Sequence, residues 1–344
     1  MQNSIDWANV GFTPRKTNAV AVSFYRDGKW SAPELTNDFS FSLSIYAGSL
    51  HYANSCFEGL KAFRGADGKV RLFRPYENAR RLASSAAYLD MACPPEEMFV
   101  QMCLSCVKAN LDFLPPYGYE ASMYVRPLLL GVNPQINLNS STDLLFAVMC
   151  TPVGAYSSGL KPVTAVLSRN YDRAAPNGTG RFKLSANYAM SMHPYNLAHR
   201  LGYGELLYPD SATKTKVDEF GSSNFMAIKG KSYVTPLSDS VLPSITNKSL
   251  QQLAADEGLT VEKRPVPLVE LAEFDEVNAC GTAVVITPVC RIDDRPAMES
   301  PEVTRSWSFG SPDSSGAVSQ RLYDRIRGIQ NGTEQDVFDW CVEL

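Results

Sequence analysis

Two stretches in the first half of the chain combine strand-forming residues with a turn dipeptide. The segment AVAVSFYRDGKW contains Asp27-Gly28, and Asp67-Gly68 lies between LKAFRGA and KVRLF. An Asp-Gly pair suits the two-residue turn of an antiparallel hairpin, because that turn needs residues that accept a positive φ. Each stretch therefore predicts a β-hairpin.

Helical patterns follow these hairpins. Pro75 opens PYENARRLASSAAYLDM, and proline is tolerated at the first position of a helix. A second helix is predicted over residues 96–113, and it must end before Pro115-Pro116, which cannot continue it. The apolar runs 121–130 and 144–151 are rich in strand-forming residues and predict buried strands.

The segment VGAYSSGLKP separates this part of the chain from the rest. It is rich in glycine, serine and proline, a composition typical of a loop between domains. We therefore predict a small N-terminal α/β domain over residues 1–153. An interdomain loop at 154–162 and a large C-terminal domain over 163–344 follow it.

The second half has more strand patterns than helical ones. Helices are predicted over residues 187–201, where Pro194 can kink or break the helix, and over 248–257 and 320–331. Strand patterns occur at residues 163–168, 205–209, 217–235, 260–264, 276–280 and 283–291. These elements indicate a β-rich barrel or curved sheet with peripheral helices. The whole chain is therefore expected to be a two-domain protein of the α/β (α+β) class.

Charge and hydropathy exclude several classes of partner. The 344 residues carry a net charge of −4, which argues against the basic surface that nucleic-acid binding needs. No apolar run approaches the roughly 18 residues of a membrane helix. The first ten residues, MQNSIDWANV, have neither the basic nor the apolar region of a secretion signal. We expect a cytoplasmic protein without a nucleic-acid or membrane partner.

Cysteine and histidine do not form a metal-binding pattern. Cys103 and Cys106 make a CxxC inside the second helical pattern, without a second CxxC or a nearby histidine, which favours two core thiols. The three histidines are not grouped, and no HExxH occurs, so no metal site is expected. GxGxxG, P-loop and GxSxG motifs are also missing. Difficult chemistry in such a chain more readily comes from a bound cofactor.

Lys183 is a candidate for covalent chemistry. It stands in NGTGRFKLSANYAMSMH, with Gly178 and Gly180 before it and Ser185 and Ala186 after it. Small neighbours leave room for a planar ligand, and a lysine in a confined site can form a Schiff base with an aldehyde. A surface lysine in a glycine-rich loop fits the same local composition.

Glu219 and the turns after it offer anion-binding groups. Glu219 precedes Gly221-Ser222-Ser223-Asn224, where backbone amides can form an anion nest or a plain hairpin turn. In LPSITNK, Thr246 or Asn247 is expected to cap a helix, whose N-terminus could bind phosphate. Small residues and a hydroxyl recur in ACGTA, around Thr282.

Arg80 and Arg81 lie on the helix that begins at Pro75. Adjacent residues face different sides of a helix, so at most one of them is expected to reach a pocket, where it could bind phosphate. Each of these features has an ordinary structural explanation. Together, an amine, a carboxylate, anion-binding turns and an arginine are the components of a pyridoxal-phosphate site.

Seven blocks in order resemble the class IV aminotransferases, and most closely the longer branched-chain amino-acid aminotransferases. The blocks are LHYANSCFEGLKAFR, RLFRPYENARRL, YVRPLLLG, FKLSANYA, EFGSSNF, VLPSITN and CGTAVVITPV. They extend from about residue 50 to residue 289. The resemblance implies the two-domain fold of type IV pyridoxal-phosphate enzymes, with a β-rich pseudo-barrel domain that binds the cofactor.

The resemblance also implies roles for individual residues. Lys183 is expected to form the Schiff base with pyridoxal 5'-phosphate and to move the proton. Glu219 pairs with the pyridine nitrogen and Arg81 binds the phosphate. Further cofactor contacts are implied for Tyr188, Ser222, Ser223, Ile245, Thr246 and Thr282. The substrate pocket is implied for Tyr52, Phe57, Tyr124, Arg126, Thr282 and Ala283.

The implied reaction is the reversible transfer of the amino group of leucine, isoleucine or valine to 2-oxoglutarate by a homodimer. Arg126 and the backbone near residues 155–159 are both candidates for binding the second carboxylate of 2-oxoglutarate. A D-amino-acid aminotransferase and an aminodeoxychorismate lyase share the fold and are the nearest alternatives. A cofactor-free interaction protein is the alternative from another class. Ser185 and Ala186 depart from the two glycines that usually follow the lysine, but both are small.

Overall fold

The computed structural model describes residues 5–154 and 160–344, which divide into two compact units. The first unit contains residues 5–154, 182–186 and 327–344, and the second contains residues 160–181 and 187–326. The sequence-based division placed all of 163–344 in one domain. In the structure, the last residues return to the first unit because Cys341–Glu343 pairs with Val70–Phe73. Most of the predicted interdomain loop, residues 155–159, lies outside the described residues.

The elements are numbered in chain order. Up to residue 154 they are β1 (Val20–Arg26), β2 (Lys29–Trp30), β3 (Glu34–Thr36), α1 (Gly48–Tyr52), β4 (Ser55–Phe57), β5 (Leu60–Arg64), β6 (Val70–Phe73), α2 (Pro75–Tyr88), α3 (Glu96–Ala109), β7 (Ser122–Gly131) and β8 (Leu144–Val153). From residue 160 they are β9 (Val163–Leu167), α4 (Ala186–Arg200), β10 (Glu205–Pro209), β11 (Lys216–Phe220), β12 (Asn224–Lys229), β13 (Ser232–Pro236), α5 (Ile245–Asp256), β14 (Thr260–Arg264), β15 (Val266–Pro267), β16 (Glu276–Gly281), β17 (Val285–Asp294), β18 (Arg305–Ser308), α6 (Ala317–Asn331) and β19 (Cys341–Glu343). Short 3-10 helices occur at Trp7–Asn9, Leu111–Phe113 and Leu268–Glu273.

An antiparallel sheet forms the framework of the first unit. Its strand order is β19-β6-β5-β7-β8-β1-β2, with β3 paired to β1 and β4 paired to β7. Both predicted hairpins are present. Asp27 and Gly28 have φ values of 51° and 77°, and Gly68 has a φ of 79° between β5 and β6. The left-handed conformations of Asp27 and Gly28 explain the Asp-Gly pair of the first turn, and in the second turn Gly68 supplies the positive φ.

Helices α2 and α3 bury apolar side chains against this sheet. Leu82 of α2 and Phe99 and Cys103 of α3 are fully buried in the same core. The second predicted helix ends at Ala109 because the amide of Asn110 replaces the next helical hydrogen bonds. Its Nδ2 donates to the carbonyl oxygens of Cys106 and Ala19, both at 2.8 Å. A 3-10 turn then replaces the last predicted helical residues.

Both cysteines of the CxxC are buried. Cys103 and Cys106 belong to the core of the first unit, and the thiol of Cys150 donates to the Cys106 Sγ at 3.3 Å. Burial raises the pKa of the Cys103 thiol well above its usual value. All eight cysteines are free. Within residues 5–154 and 160–344, no group of three or more metal-ligating side chains is arranged to hold an ion.

The second unit contains a closed ring of strands. The order β12-β16-β17-β9-β10-β11 returns to its start because β11 also pairs with β12, through Glu219 and Asn224. Strands β13 and β14 extend the sheet beyond β12, and their parallel pairing uses α5 as the crossover. The ring matches the barrel alternative predicted for this half of the chain. Across the described residues, no helix is both long and apolar enough to span a membrane.

Glu205 introduces a pH-dependent weakness into the second unit. It is buried on β10, and its Oε2 has no hydrogen-bond partner among the described residues. Burial raises the pKa of this carboxyl from 4.5 to about 7. The folded protein therefore retains a proton that the unfolded chain releases above pH 4.5. Stability is expected to fall by about 3 kcal/mol as pH rises from 4.5 through 7.

Replacing Glu205 with glutamine is expected to remove this weakness. At pH 8 the variant should have a higher free energy of unfolding than the wild type, by up to about 3 kcal/mol, and at pH 5 the gain should nearly disappear. Urea unfolding at the two pH values measures the difference. Glu302→Gln is the matched control, since Glu302 is exposed. An equal gain at both pH values would show that the carboxylate charge is not the cause.

Candidate active site

Lys183 is held by its backbone on two sides. Its N–H donates to Ser85 Oγ on α2 at 2.9 Å, and its carbonyl accepts from the N–H of Phe57 at 3.2 Å. The N–H of Ser185 then donates to the carbonyl of Ser55 at 3.1 Å. The segment 182–186 is thus attached to β4 and α2, and this attachment fixes where the lysine side chain starts. The Lys183 Nζ lies 4.9 Å from the centre of the Phe57 ring.

Arg126 lies against the ring of Phe57, the aromatic neighbour of the Lys183 amine. Tyr124 and Arg126 are two residues apart on β7 and so face the same side of the sheet. The Arg126 guanidinium carbon lies 4.6 Å from the centre of the Phe57 ring, and its Nη2 donates to the Tyr124 hydroxyl at 2.9 Å. The Arg126 Nε is buried without a hydrogen-bond partner in the described chain. A buried, unsatisfied N–H is a group that an anionic ligand could satisfy.

The structure brings Phe57, Tyr124 and Arg126 together with Lys183. Tyr52 ends α1, and its hydroxyl donates to the Ile136 carbonyl. Gly59 explains part of the close packing, because a Cβ at this position would collide with the Tyr124 hydroxyl. The substrate-binding roles of these residues stay predictions.

Arg81 pairs with a buried carboxylate that sequence reasoning missed. Its Nε and Nη2 donate to the two oxygens of Glu58, each at 2.7 Å, and Glu58 is fully buried. The side chain of Asn78 donates to the same carboxylate at 2.7 Å. The bidentate geometry orients the guanidinium. Arg80 instead faces the surface and pairs with Glu77 and Glu96. A role for Arg81 in phosphate binding stays a prediction.

Glu219 lies on β11 in the second unit and is buried. Its Oε1 accepts from the N–H of Leu242 at 3.0 Å and lies 2.7 Å from the Nη2 of Arg173, and its Oε2 accepts from the side-chain amide of Asn224 at 2.9 Å. Burial raises the pKa of Glu219, and Arg173 is the largest influence that lowers it. Sequence reasoning found the carboxylate and missed Arg173. In the sequence, Arg173 is distinguished only as a charged residue just before AAPNGTG.

The predicted phosphate-binding turns lie in the same unit as Glu219. Ser222 and Ser223 belong to the turn between β11 and β12, where Ser223 is buried. Ile245 and Thr246 form the first turn of α5 and are both buried. The prediction that Thr246 or Asn247 caps this helix was wrong. Ser244 caps the helix, and its side chain accepts from the N–H of Asn247 at 3.2 Å, because the helix begins three residues earlier than predicted.

Three further predicted residues lie near element ends. Thr282 and Ala283 are half-buried in the turn between β16 and β17, and Val285, the first residue of β17, has a φ of 65°. Tyr188 is half-buried in the first turn of α4. The predicted cofactor residues therefore fall into two sets. Lys183 and Arg81 belong to the first unit, and the others belong to the second.

These groups define the chemistry that is available. Lys183 supplies an amine that can act as a nucleophile and then as a base, and Glu219 supplies a buried carboxylate beside a fixed cation. The N-terminus of α5 suits a phosphate group, because the positive end of the helix dipole lies there. Together they match the functional groups of an aminotransferase.

Comparison with protein families agrees with this chemistry. The family model described as Amino-transferase class IV matches residues 55–292. The chain belongs to the class IV aminotransferases, and it is a transaminase. The family predicted from the seven sequence blocks is thereby confirmed.

Relatives of this chain include full-length bacterial proteins. It is 40% identical to the branched-chain-amino-acid aminotransferase of Helicobacter pylori strain J99, over 99% of this chain and 98% of the relative. It is also 40% identical to the protein of the same name from Haemophilus influenzae, over 99% of each chain. The match extends over nearly the whole of all three chains.

Solved structures confirm the predicted fold class. The branched-chain amino acid aminotransferase of Escherichia coli superposes with a TM-score of 0.75 at 25% identity, covering 95% of this chain and 99% of that chain. The T.th. branched-chain amino acid aminotransferase solved with pyridoxamine 5'-phosphate has a TM-score of 0.76 at 23% identity, covering 95% of this chain and 98% of that chain.

Proposed function

We propose that this transaminase uses pyridoxal 5'-phosphate to transfer the amino group of leucine, isoleucine or valine reversibly to 2-oxoglutarate. Two full-length relatives at 40% identity carry the name branched-chain-amino-acid aminotransferase, which supports this substrate class. The observation that carries the proposal is the grouping of the Lys183 amine with Phe57, Tyr124 and Arg126. An apolar, aromatic surface beside the reactive amine suits an aliphatic side chain.

The residues present fit the cofactor. Pyridoxal phosphate supplies an aromatic ring that accepts the electrons of the substrate's Cα. Lys183 would hold the cofactor aldehyde and carry the proton, and Glu219 would pair with the pyridine nitrogen. Arg81, with Ser222, Ser223, Ile245, Thr246 and Thr282, would bind the phosphate, and Tyr188 would contact the ring oxygen. The T.th. enzyme of the same fold was solved with pyridoxamine 5'-phosphate, which supports this choice of cofactor.

The two substrates differ in one respect that the site must accommodate. Leucine, isoleucine and valine end in methyl groups, whereas 2-oxoglutarate ends in a carboxylate. Arg126 is the cation we assign to that carboxylate, because its buried Nε has no partner in the described residues. The alternative candidates, the backbone groups near residues 155–159, lie outside the described residues.

Half-reactions with a panel of amino acids test the proposal. The purified enzyme should convert leucine, isoleucine and valine with kcat/KM values at least about 100-fold above that for D-alanine, since the apolar, aromatic surface beside Lys183 adds binding free energy for their larger side chains. The change in absorbance of the bound cofactor measures each rate. Faster turnover of D-alanine would indicate a D-amino-acid aminotransferase, and release of pyruvate from aminodeoxychorismate would indicate the lyase. A protein that never binds the cofactor would be the interaction protein instead.

Replacing Arg126 with methionine should separate the two kinds of oxo acid. The KM for 2-oxoglutarate is expected to rise by roughly 10- to 100-fold, because a charge-assisted hydrogen bond to a carboxylate contributes about 1.5–3 kcal/mol. The KM for 4-methyl-2-oxopentanoate should change much less. Steady-state kinetics with both oxo acids measures this ratio. Arg26→Met, which removes an exposed arginine stacked on Phe24, is the control. Equal losses for both oxo acids would contradict the assignment.

The protein is also proposed to form a homodimer. Exposed apolar side chains on the first unit support this state, since association with a second chain would remove them from water. The most exposed of them are Ile45, Leu50, Ile136 and Leu138, at 76%, 61%, 74% and 82%. Light scattering should give the mass of two chains, and a monomer mass would contradict the proposal. The cytoplasmic location stays a prediction.

A further inference from the structure

Arg173 is the cation that faces the buried carboxylate of Glu219. Its Nη2 lies 2.7 Å from Glu219 Oε1, and the Arg173 side chain is itself mostly buried. A carboxylate removed from water loses much of the hydration that stabilises its charge. An adjacent guanidinium therefore acts on Glu219 with little screening by solvent.

Backbone carbonyls hold Arg173 in this position. Its Nη2 donates to the carbonyl of Gly180 at 3.0 Å and also to the carbonyl of Ser240. Gly180 is required by this arrangement, since a Cβ there would collide with the Ser240 carbonyl and crowd the Arg173 side chain. The two carbonyls thus hold the same Nη2 that contacts Glu219.

The remaining groups around Glu219 are neutral or unfavourable to its charge. Asn224 and the N–H of Leu242 donate to its two oxygens, but neither carries a charge. Asp218 is a neighbouring carboxylate that opposes ionisation of Glu219. The buried thiol of Cys280 has a raised pKa and is neutral at physiological pH. Among the groups described around this carboxylate, Arg173 is the cation.

We propose that Arg173 is a positioning residue that keeps Glu219 ionised, so that the carboxylate can hold a proton on the cofactor's pyridine nitrogen. This role rests on the proposed function. Without Arg173, Glu219 would take up a proton more readily and would lose the charge that stabilises a cationic ring nitrogen. A pyridine ring whose nitrogen is not protonated withdraws electrons less strongly. The nitrogen that joins Lys183 to the cofactor should therefore keep its proton up to a higher pH.

Two substitutions separate charge from packing. Arg173→Gln removes the charge but leaves an amide that can donate hydrogen bonds, whereas Arg173→Lys keeps the charge. The visible absorbance of each holoenzyme is titrated with pH. In Arg173→Gln the spectral transition should move upward by about one pH unit or more, as expected for the loss of an adjacent opposite charge. In Arg173→Lys it should stay close to that of the wild type.

A double-mutant cycle tests whether Arg173 acts through Glu219. In a Glu219→Gln background, Arg173→Gln should produce no further spectral shift, because no carboxylate remains to be ionised. Its effect on kcat should disappear in the same background. Arg169→Met is the matched control, since Arg169 makes a bidentate ion pair with Asp294 elsewhere in the second unit. This variant should leave the spectral transition unchanged.

The outcomes distinguish this inference from the proposed function. Equal shifts in Arg173→Gln and Arg173→Lys, or a shift in neither, would overturn the role of Arg173 while leaving cofactor binding at Lys183 intact. An additive shift in the double variant would also overturn it. If the wild-type protein shows no visible absorbance with pyridoxal phosphate, the proposed function itself fails.

Discussion

Replacing Lys183 with alanine is expected to lower the rate of transamination by about 10⁴-fold or more, because the proposed mechanism assigns both the covalent attachment and the proton transfer to this one side chain. The fold should persist, since Lys183 is fixed through backbone hydrogen bonds to Ser85 and Phe57 that alanine retains. Single-turnover measurements with leucine and with 2-oxoglutarate give the two rates, and circular dichroism reports the fold.

A second readout identifies the lysine directly. Borohydride reduction of the wild-type holoenzyme should attach the cofactor to the peptide that contains Lys183, and the alanine variant should remain unlabelled. Lys69→Ala is the control, because Lys69 is an exposed lysine of the same unit that pairs with Glu343. Labelling of another lysine, or full activity in Lys183→Ala, would refute the assignment.

Replacing Glu58 with glutamine is expected to lower the free energy of unfolding by about 3–5 kcal/mol. The substitution leaves the largely buried Arg81 guanidinium without its counter-charge, and an uncompensated buried charge is strongly destabilising. Urea unfolding measures the loss. Glu77→Gln is the matched control, because it breaks an ion pair with the exposed Arg80 and should cost less than about 1 kcal/mol.

The partner of Glu58 provides a further check. Arg81→Met should also destabilise the protein, and the double variant with Glu58→Gln should lose less stability than the sum of the two single changes, because both charges are then absent. Strict additivity would show that the two side chains do not stabilise each other. A loss in Glu58→Gln no larger than that in Glu77→Gln would contradict the expected cost of burial.

Local patterns predicted the elements whose conformation is decided by nearby residues. The Asp27-Gly28 turn is a hairpin in which both residues adopt a positive φ, and in the Asp67-Gly68 turn Gly68 does so. The helix at Pro75 begins where its proline indicates. The strand Cys341–Glu343 was not predicted. This strand is short and has no strong local pattern. It is defined by its pairing with β6, which lies far away in the sequence.

The same distinction applies to the candidate site. Lys183 and Glu219 stand in recognisable blocks, so the sequence indicates their chemistry. Glu58 also stands in such a block, but nothing local shows that it pairs with Arg81, because the two meet only after β4 and α2 pack together. Arg173 was missed for a similar reason. Arg173 lies in the loop after β9 and its partner lies on β11 of the same unit, so only the folded chain brings the two charges to 2.7 Å.

The pairing of Glu219 with Asn224 is the contact that closes the strand ring of the second unit. Each of the six strands in the closed ring is paired on both sides. These strands therefore expose no free edge on which another chain could add a strand and aggregate. Ring closure also requires strands as distant in sequence as β9 and β17 to meet first, and such long-range contacts form slowly. The carboxylate assigned to the cofactor therefore reaches its final surroundings late in folding. Recovery of cofactor binding during refolding should lag behind recovery of helical structure.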